Sequence, residues 1–452
     1  MLNNYKKYQA DTASLIELEN FDAKATIEKD PYSTLKMAIW AYFFLWIFEG
    51  ALRKWVLPSL ATPLLIVRDP IAIYLIARAM YLKVKFTNGY IVFASIITLL
   101  SLIITITFGH GNLFVAIYGA RIMMLHFPLI FIIGAVFTKE DILKMGRVLL
   151  AINIFMTLIV YLQFSSPQSA FINIGLGGEG SSGFSGAMGY FRPPGTFSFI
   201  TGLSSFYIMV SVYVFYFWLS GEKIAKVLLY ASTLALIFSL PLTVSRTAVG
   251  GVALVGLFAL MGSATSFKTI IRIVLTIFAL FILFTILQKT TTVFNLGTEV
   301  FMSRVDTASE QSGGFEESFF SRAIDGFVEP IVRLLKMPFF IGNLGMGTNA
   351  GAQMLSGSNG FLIAEDELSR IGGEQGLLLG GIIIMLRLGL ALSLFMKSIR
   401  LPQEDKLLPV IFCGTALFSL TQGQWAQPSM LGYSVMVTGL LLAGINKNTK
   451  PL

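Results

Sequence analysis

Residues 90–107, YIVFASIITLLSLIITIT, decide the fold class of this chain. They form an unbroken apolar run without a single charged side chain. A helix needs roughly 20 apolar residues to cross the hydrocarbon core of a bilayer. Residues 267–287 and 377–396 are further runs that approach or reach this length. Several segments of the chain are therefore predicted to span a membrane.

The overall composition agrees with this interpretation. The chain has 452 residues, of which 55% are hydrophobic and only 13% are charged, whereas soluble domains contain about 25% charged residues. The sequence predicts an all-α polytopic membrane protein with about twelve transmembrane helices. Their predicted positions are 36–52, 62–82, 89–108, 113–137, 142–163, 196–219, 224–244, 246–263, 267–288, 373–396, 407–422 and 428–446.

The distribution of Lys and Arg predicts the orientation. Short cytosolic loops are enriched in these residues, and with the amino terminus inside, every inner loop is basic. The exception is the pair Arg53 and Lys54, which is predicted to lie outside. Both termini are therefore expected in the cytosol. The basic residues of the inner loops and the tail are Lys83, Lys85, Lys139, Lys144, Arg147, Lys223, Lys226, Lys268, Arg272, Lys397, Arg400, Lys406, Lys447 and Lys450.

These predictions divide the chain into five parts. A cytosolic tail at 1–35 precedes helices 1–9 at 36–288, which include a Gly/Ser-rich outer loop at 164–195. A large outer loop at 289–372, between helices 9 and 10, is followed by helices 10–12 at 373–446 and a cytosolic tail at 447–452. Loops of this length are usually functional or disordered. Apolar residues at helical spacing in 324–335 predict an amphipathic helix within the large loop.

Several functional classes are disfavoured. The net charge of +8 is spread over short loops and forms no stripe that would suit nucleic acid. The two histidines, His110 and His126, belong to no metal-ligand spacing, so neither a metal nor a cofactor is expected. Cys413 is the only cysteine, which excludes an internal disulfide. The glycines at 175–189 lack the Lys-Ser/Thr ending of a phosphate-cradling loop.

Three arginines beside apolar segments suggest an anionic ligand at one membrane face. Arg192, Arg246 and Arg322 follow or precede small and apolar residues, and an arginine near hydrocarbon is costly unless it faces a cavity or a partner. A guanidinium group can also bind phosphate through two parallel hydrogen bonds. The alternatives are snorkelling of Arg246 to the headgroups, a solvated loop position for Arg192 and a solvated helix face for Arg322.

Carboxylates at 365–376 are candidates for proton transfer. Glu365, Asp366 and Glu367 precede a predicted span together with Arg370, and a carboxylate at low dielectric can serve as a base. A wet loop with surface ion pairs is the alternative. Charges in the early spans, by contrast, are interpreted as structural pairs or boundary residues, namely Arg68 with Asp69, Arg78 and Arg121.

Four short elements between residues 192 and 381 resemble the O-antigen ligase and polymerase superfamily of membrane glycosyltransferases. Residues 192–197, RPPGTF, resemble its Arg-x-x-Gly-Thr-Phe element, and residues 245–250, SRTAVG, its Ser-Arg-x-x-x-Gly element. Ser321 and Arg322, the amphipathic helix and the glycines up to 347 are similar to its outer-loop pattern. Residues 373–380, GEQGLLLG, resemble its Glu-x-Gly-x-x-Gly element.

The resemblance implies a metal-independent, inverting transferase in the bacterial inner membrane. The donor would be a polyprenyl-diphosphate-linked glycan and the acceptor a sugar hydroxyl, with the lipid bilayer and polysaccharide assembly proteins as further partners. Glu365 or Glu367 would act as the catalytic base. The residues expected to bind the diphosphate are Arg192, Arg246, Arg322 and Arg370.

One departure from the family pattern selects among its branches. The ligase branch typically carries a His-Asn pair where this chain has Glu365-Asp366, which favours a polymerase. A ligase-type transferase, a transporter of lipid-linked oligosaccharide or another solute, and a non-catalytic scaffold remain alternatives. The amino-terminal third, including residues 48–55, FEGALRKW, matches no motif with a known role.

Overall fold

The computed structural model describes residues 30–176, 184–263, 271, 282–310, 328–340, 342, 344–349, 351–358, 360, 362–364 and 366–446. This part of the chain is all-helical and contains no strand. A single isolated bridge joins Ser185 and Phe191. The predicted all-α class is confirmed.

The α-helices are labelled in chain order. They are α1 Ser33–Ala51, α2 Asp69–Tyr81, α3 Gly89–Thr107, α4 Leu113–Arg121, α5 Phe127–Val136, α6 Lys139–Ser165, α7 Ile200–Ser220, α8 Lys226–Leu242, α9 Arg246–Ser263, α10 Thr292–Glu310, α11 Ala352–Ser356, α12 Glu367–Ile399, α13 Gln403–Thr421 and α14 Pro428–Ile445. Residues 282–290 and 328–335 are also helical.

Eight helices in the described part of the chain are long and apolar enough to cross a membrane, as expected for a multi-pass membrane protein. They are Ser33–Val56, Gly89–Thr107, Leu113–Val136, Lys139–Ser165, Ile200–Ser220, Arg246–Ser263, Glu367–Ile399 and Pro428–Ile445. Three other predicted spans fall on α2, α8 and α13. Helices α2 and α8 are short, with 13 and 17 residues, and the first turn of α13 contains Glu404 and Asp405.

Some predicted features lie wholly or partly outside the described residues. These include most of the span at 267–288, the tails at 1–29 and 447–452, and the first part of the amphipathic helix at 324–335. Residues 328–335 of that helix are present, with Leu334 buried and Leu335 exposed. The large connection from 289 to 372 contains α10 and α11, so its described residues are partly helical.

Helices α7 and α14 lie at the centre of the bundle. In their most apolar 18-residue stretches, 83% and 89% of the residues are buried, compared with 28% in α3 and α9 at the periphery. Helix α14 packs against α5 and α13, while α9 packs against α13 and α7. Small residues allow close approach where polar groups cross the core. A side chain at Gly432, for example, would overlap the guanidinium group of Arg68.

Two π-turns interrupt otherwise regular helices, one at the end of the span Ser33–Val56 and one in the middle of the span Leu113–Val136. Leu52–Val56 continues α1, and Ile122–His126 joins α4 to α5. A π-turn holds one more residue per hydrogen-bonded ring than an α-helix, and such turns are frequent at functional sites. Arg53, Lys54 and His126 lie within these two turns and are all buried.

Candidate functional site

A large cavity lies at the end of the bundle that contains the π-turn Leu52–Val56. Its volume is about 1540 Å³. Its walls come from the end of α1, the short 3₁₀ turns Pro58–Leu60 and Pro63–Ile66, the start of α2, the helix α4 and the segment leading into α7. Gly351, Gln353 and Met354 from the long connection complete the lining. Apolar side chains, among them Ile66, Ile73 and Phe114, form much of the wall.

The charges that line this cavity are unbalanced. Four cationic side chains, from Arg53, Lys54, Arg121 and Arg192, face it together with one carboxylate, from Asp69. The described lining therefore carries an excess of three positive charges. Buried charge is costly unless it is paired, so the cavity is suited to an anionic ligand.

Lys54 contributes most directly to this excess. Its side chain is only 3% exposed. The ammonium group donates a hydrogen bond to the carbonyl oxygen of Gly195 at 2.8 Å and lies 4.7 Å from the centre of the Trp55 ring. Among the described residues, no carboxylate lies within ion-pair distance of Lys54.

Arg53 connects the cavity wall to the loop before α7. Its Nε donates to the carbonyl oxygen of Ala61 at 2.7 Å, and its Nη1 donates to the hydroxyl of Ser198 at 3.0 Å. Glu49 lies between two arginines, 3.4 Å from Arg53 and 3.3 Å from Arg68. This carboxylate therefore only partly compensates Arg53.

A polar network from three helices holds Asp69. Nη1 of Arg121 donates to Oδ1 of Asp69 at 2.6 Å, and Nε2 of His126 lies 2.9 Å from the same oxygen. Nδ1 of His126 is 2.9 Å from the hydroxyl of Tyr42. The Arg121 guanidinium also lies 4.0 Å from the centre of the Tyr118 ring. Asp69 therefore pairs with Arg121 and not with the adjacent Arg68, which lies 3.3 Å from Glu49. Asp69 and Arg121 also face the cavity.

Arg192 lies in the loop that leads into α7. Gln163 fixes this loop, since its side chain exchanges hydrogen bonds with the N–H and carbonyl oxygen of Gly195 at 2.8 and 3.2 Å. Burial and the neighbouring positive charges of Arg304 and Arg246 lower the pKa of Arg192 to about 10. Its Nε is buried without a hydrogen-bond partner in the described part of the chain. Arg192 remains cationic at neutral pH and has an N–H available for an anion.

Arg246 begins α9 close to Arg192. The hydroxyl of Ser245 accepts a hydrogen bond from the Ala248 N–H at 3.3 Å and lies 2.8 Å from the hydroxyl of Ser204. Val244 has a φ of +47°, a conformation that is rare for a β-branched residue and that occurs preferentially at functional sites. Arg192 and Arg246 lie close enough for their positive charges to interact, but only Arg192 lines the cavity.

Glu367 and Arg370 lie elsewhere, inside the bundle. Both oxygens of Glu367 are engaged: Arg370 Nε donates to Oε2 at 2.9 Å, and Arg387 Nη1 donates to Oε1 at 2.6 Å. Glu374 completes the cluster by accepting from Arg370 and from the hydroxyl and N–H of Thr348. The remaining space beside the cluster is only about 20 Å³. None of its ionised side chains lines the large cavity.

The other predicted site residues, Arg322 and Glu365, lie outside the described residues. The early-span arginine Arg78 is remote from the cavity lining and donates to Thr34 at 3.3 Å. Among the residues that the structure describes, no group of three or more His, Cys, Asp or Glu side chains could hold a metal ion. His110 instead contacts the carbonyl oxygen of Met346 at 2.8 Å.

The charged cavity residues missed by sequence reasoning are Arg53, Lys54, Asp69 and Arg121. A signal was present for Arg53 and Lys54, because they are the exception to the enrichment of positive charge in the inner loops. No family model, curated protein or solved structure matches the chain. Its function is therefore inferred from the geometry of the cavity and the sequence motifs.

Proposed function

We propose that the chain is a polysaccharide polymerase-type glycosyltransferase that moves a glycan from a polyprenyl-diphosphate donor to an acceptor sugar. The observation that carries this proposal is the cavity of about 1540 Å³ with four cationic side chains and one carboxylate in its lining. Its size suits an extended ligand, and its charge suits a diphosphate.

The chemistry of the lining matches both parts of such a donor. A diphosphate can accept hydrogen bonds from guanidinium and ammonium groups, and the apolar wall suits the adjoining lipid. In glycosyl transfer, negative charge develops on the departing diphosphate, and preorganised cations stabilise that charge in the transition state. We assign this role to Arg53, Lys54 and Arg192, with Arg246 nearby.

The predicted roles of the remaining residues are adjusted in this proposal. Arg370 holds α12 through its pairs with Glu367 and Glu374, and Arg322 stays a sequence-based candidate for the diphosphate site. The acceptor hydroxyl must also lose a proton. Glu365 and Glu367 were the predicted bases, but both oxygens of Glu367 are engaged by arginines.

The membrane arrangement extends the proposal. We infer twelve spans with both termini in the cytosol, so that the cavity opens at the outer face of the bacterial inner membrane. The lining residues within 53–61, 168–176, 184–194 and 351–354 support this orientation, because they belong to connections predicted to be outside. Lipid-linked glycan and growing polymer would then meet in one cavity.

The test uses purified full-length protein in lipid nanodiscs with a synthetic undecaprenyl-diphosphate oligosaccharide. Wild-type protein is expected to form products with new glycosidic bonds, resolved by gel electrophoresis and mass spectrometry. Arg192→Ala and Arg246→Ala should abolish polymer formation while the protein remains folded. The matched control is Arg400→Ala, at the exposed carboxyl end of α12, which should retain activity.

Two results would reject the proposal. Unchanged glycan length and yield in both Arg192→Ala and Arg246→Ala would remove the proposed diphosphate site. Movement of the donor across proteoliposomes without any new glycosidic bond would favour a transporter.

A further inference from the structure

Asp69 is the one carboxylate in the described lining of the cavity, and its two oxygens are in different environments. Oδ1 receives the hydrogen bonds from Arg121 and His126 at 2.6 and 2.9 Å. Oδ2 has no hydrogen-bond partner among the described residues, and the Asp69 side chain is 14% exposed. One oxygen is therefore anchored, while the carboxylate still faces the cavity.

The network behind Asp69 fixes its orientation. A carboxylate oxygen accepts, so Nε2 of His126 is inferred to carry the proton that it donates to Asp69. Nδ1 is then an acceptor for the hydroxyl of Tyr42, 2.9 Å away. His126 and Tyr42 are both fully buried and cannot touch a substrate. They can only position the carboxylate, in the way that a third group orients the base in a catalytic triad.

We propose that Asp69 is the catalytic base that accepts the proton of the acceptor sugar hydroxyl, with His126 and Tyr42 as positioning residues. This inference rests on the proposed transferase function. The hydroxyl oxygen forms a bond to the anomeric carbon of the donor while the bond from that carbon to the diphosphate oxygen breaks. The bonding electrons leave with the diphosphate, and the hydroxyl proton passes to Oδ2 of Asp69.

The arrangement separates this base from the groups that bind the leaving group. Arg121 is the ion-pair partner of Asp69, at 2.6 Å. Arg53, Lys54 and Arg192 remain available for the diphosphate. A cavity that contains both kinds of group can hold an acceptor and a donor at the same time.

The experiment measures turnover and donor binding separately, again with full-length protein in nanodiscs. Asp69→Asn preserves side-chain size and an oxygen that can accept from Arg121. Turnover is expected to fall about 100-fold or more, which is the usual contribution of a general base. Donor affinity should be unchanged or higher, because the variant removes the only carboxylate in the described lining. Asp69→Glu should recover part of the turnover.

A second variant tests the positioning role. His126→Gln should lower kcat with little change in KM and should shift the acid limb of the pH–rate profile, which a purely structural contact would not do. The control is Glu140→Gln, which removes an exposed carboxylate from the first turn of α6. Its turnover and pH profile should match those of the wild-type protein.

The outcomes distinguish the two proposals. If the wild-type protein neither binds the donor nor makes polymer, the transferase function and the inference both fail. If it makes polymer and Asp69→Asn does so at the same rate, only the inference fails. Loss of folding or donor binding in Asp69→Asn and Asp69→Glu would make Asp69 a structural anchor. Loss of turnover in Glu365→Gln alone would assign the proton transfer to Glu365 and overturn the inference.

Discussion

Lys54 buries its side-chain amine with a carbonyl oxygen as its only described hydrogen-bond partner. An ammonium group removed from water loses favourable solvation that one carbonyl dipole does not fully replace. Such a residue is expected to be retained for a ligand and to make the empty protein less stable. Stability and binding should therefore respond in opposite directions when its charge is removed.

This expectation gives a prediction for Lys54→Met, which keeps an unbranched side chain and deletes the charge. The thermal stability of the protein without donor should be unchanged or raised. The affinity for a polyprenyl diphosphate should fall about tenfold or more, because a charge-assisted hydrogen bond contributes about 1.5–3 kcal/mol. Thermal unfolding and titration with labelled donor measure the two effects.

The control for this prediction is Lys226→Met, at the exposed start of α8. It should change neither quantity. A strongly destabilised Lys54→Met with normal donor affinity would mean that Lys54 serves the fold and not the ligand.

Single residues were only partly predictable from the sequence. Arg192 and Arg246 could be selected because each sits at a helix boundary among small or apolar residues. Asp69 could not be assigned to the cavity, because its partners Arg121 and His126 are more than 50 positions away. Such contacts depend on which helices pack together, and the apolar pattern of a spanning helix does not specify its neighbours.

At the scale of elements, α12 combines a buried ion network with a break in its helical backbone. Gly376 has a φ of +76°, which glycine adopts without steric cost. The break lies two residues after Glu374, and the backbone N–H groups of Leu377 and Leu378 donate to the carbonyl oxygens of Pro338 and Phe339. The ion network lies before the break, and these backbone hydrogen bonds lie after it. Together they fix the first part of α12 against the long connection.

This arrangement predicts a large stability effect for Glu367→Gln. The variant leaves Arg370 and Arg387 with one carboxylate, Glu374, in place of two. Removing one partner of a buried ion pair typically costs about 3–5 kcal/mol. Thermal unfolding of the purified protein should therefore occur at a clearly lower temperature than for the wild type.

The same variant tests the sequence-based prediction that Glu367 is a base. A base should be dispensable for folding, so a Glu367→Gln protein with wild-type stability and no turnover would restore that prediction. Glu329→Gln, which breaks an exposed pair with Arg333, is the matched control and should change stability by less than about 1 kcal/mol.

The positions of the helices were more predictable than the 3₁₀ turns and π-turns between and within them. Eleven of the twelve predicted spans overlap described helices, because long uninterrupted apolar runs determine such elements, and eight of these helices are long and apolar enough to cross a membrane. The short 3₁₀ turns at Pro58–Leu60 and Pro63–Ile66, between α1 and α2, and the π-turns were not predicted. They depend on local hydrogen bonding and on packing around buried charges, which leave no periodic signal.

At the scale of the whole molecule, the proposed arrangement of twelve spans would put the cavity and the short basic loops at opposite membrane faces. Cysteine labelling can test this, since the native Cys413 is buried. Ser59→Cys, on the cavity rim, should react with a membrane-impermeant maleimide from the outer face of intact cells. Lys223→Cys, in the exposed connection between α7 and α8, should react only after the membrane is opened.

Labelling of both positions from the same face would contradict the proposed topology. The wild-type chain should remain unlabelled under both conditions and serves as the control. The orientation stays a prediction, and it rests on the number and sign of the loop charges alone. The shared cavity could not be predicted, because it requires loops that are far apart in sequence to meet at one end of the bundle.

The π-turn at Leu52–Val56 also constrains how the chain can vary. Its carbonyl at Leu52 accepts from the N–H of Leu57, five residues later, at 2.7 Å. Losing one amino acid here would restore regular winding and rotate the preceding or following side chains by about 100°. Arg53 or Lys54 would then be turned away from its present hydrogen-bond partners. Insertions and deletions should therefore be scarce in this turn.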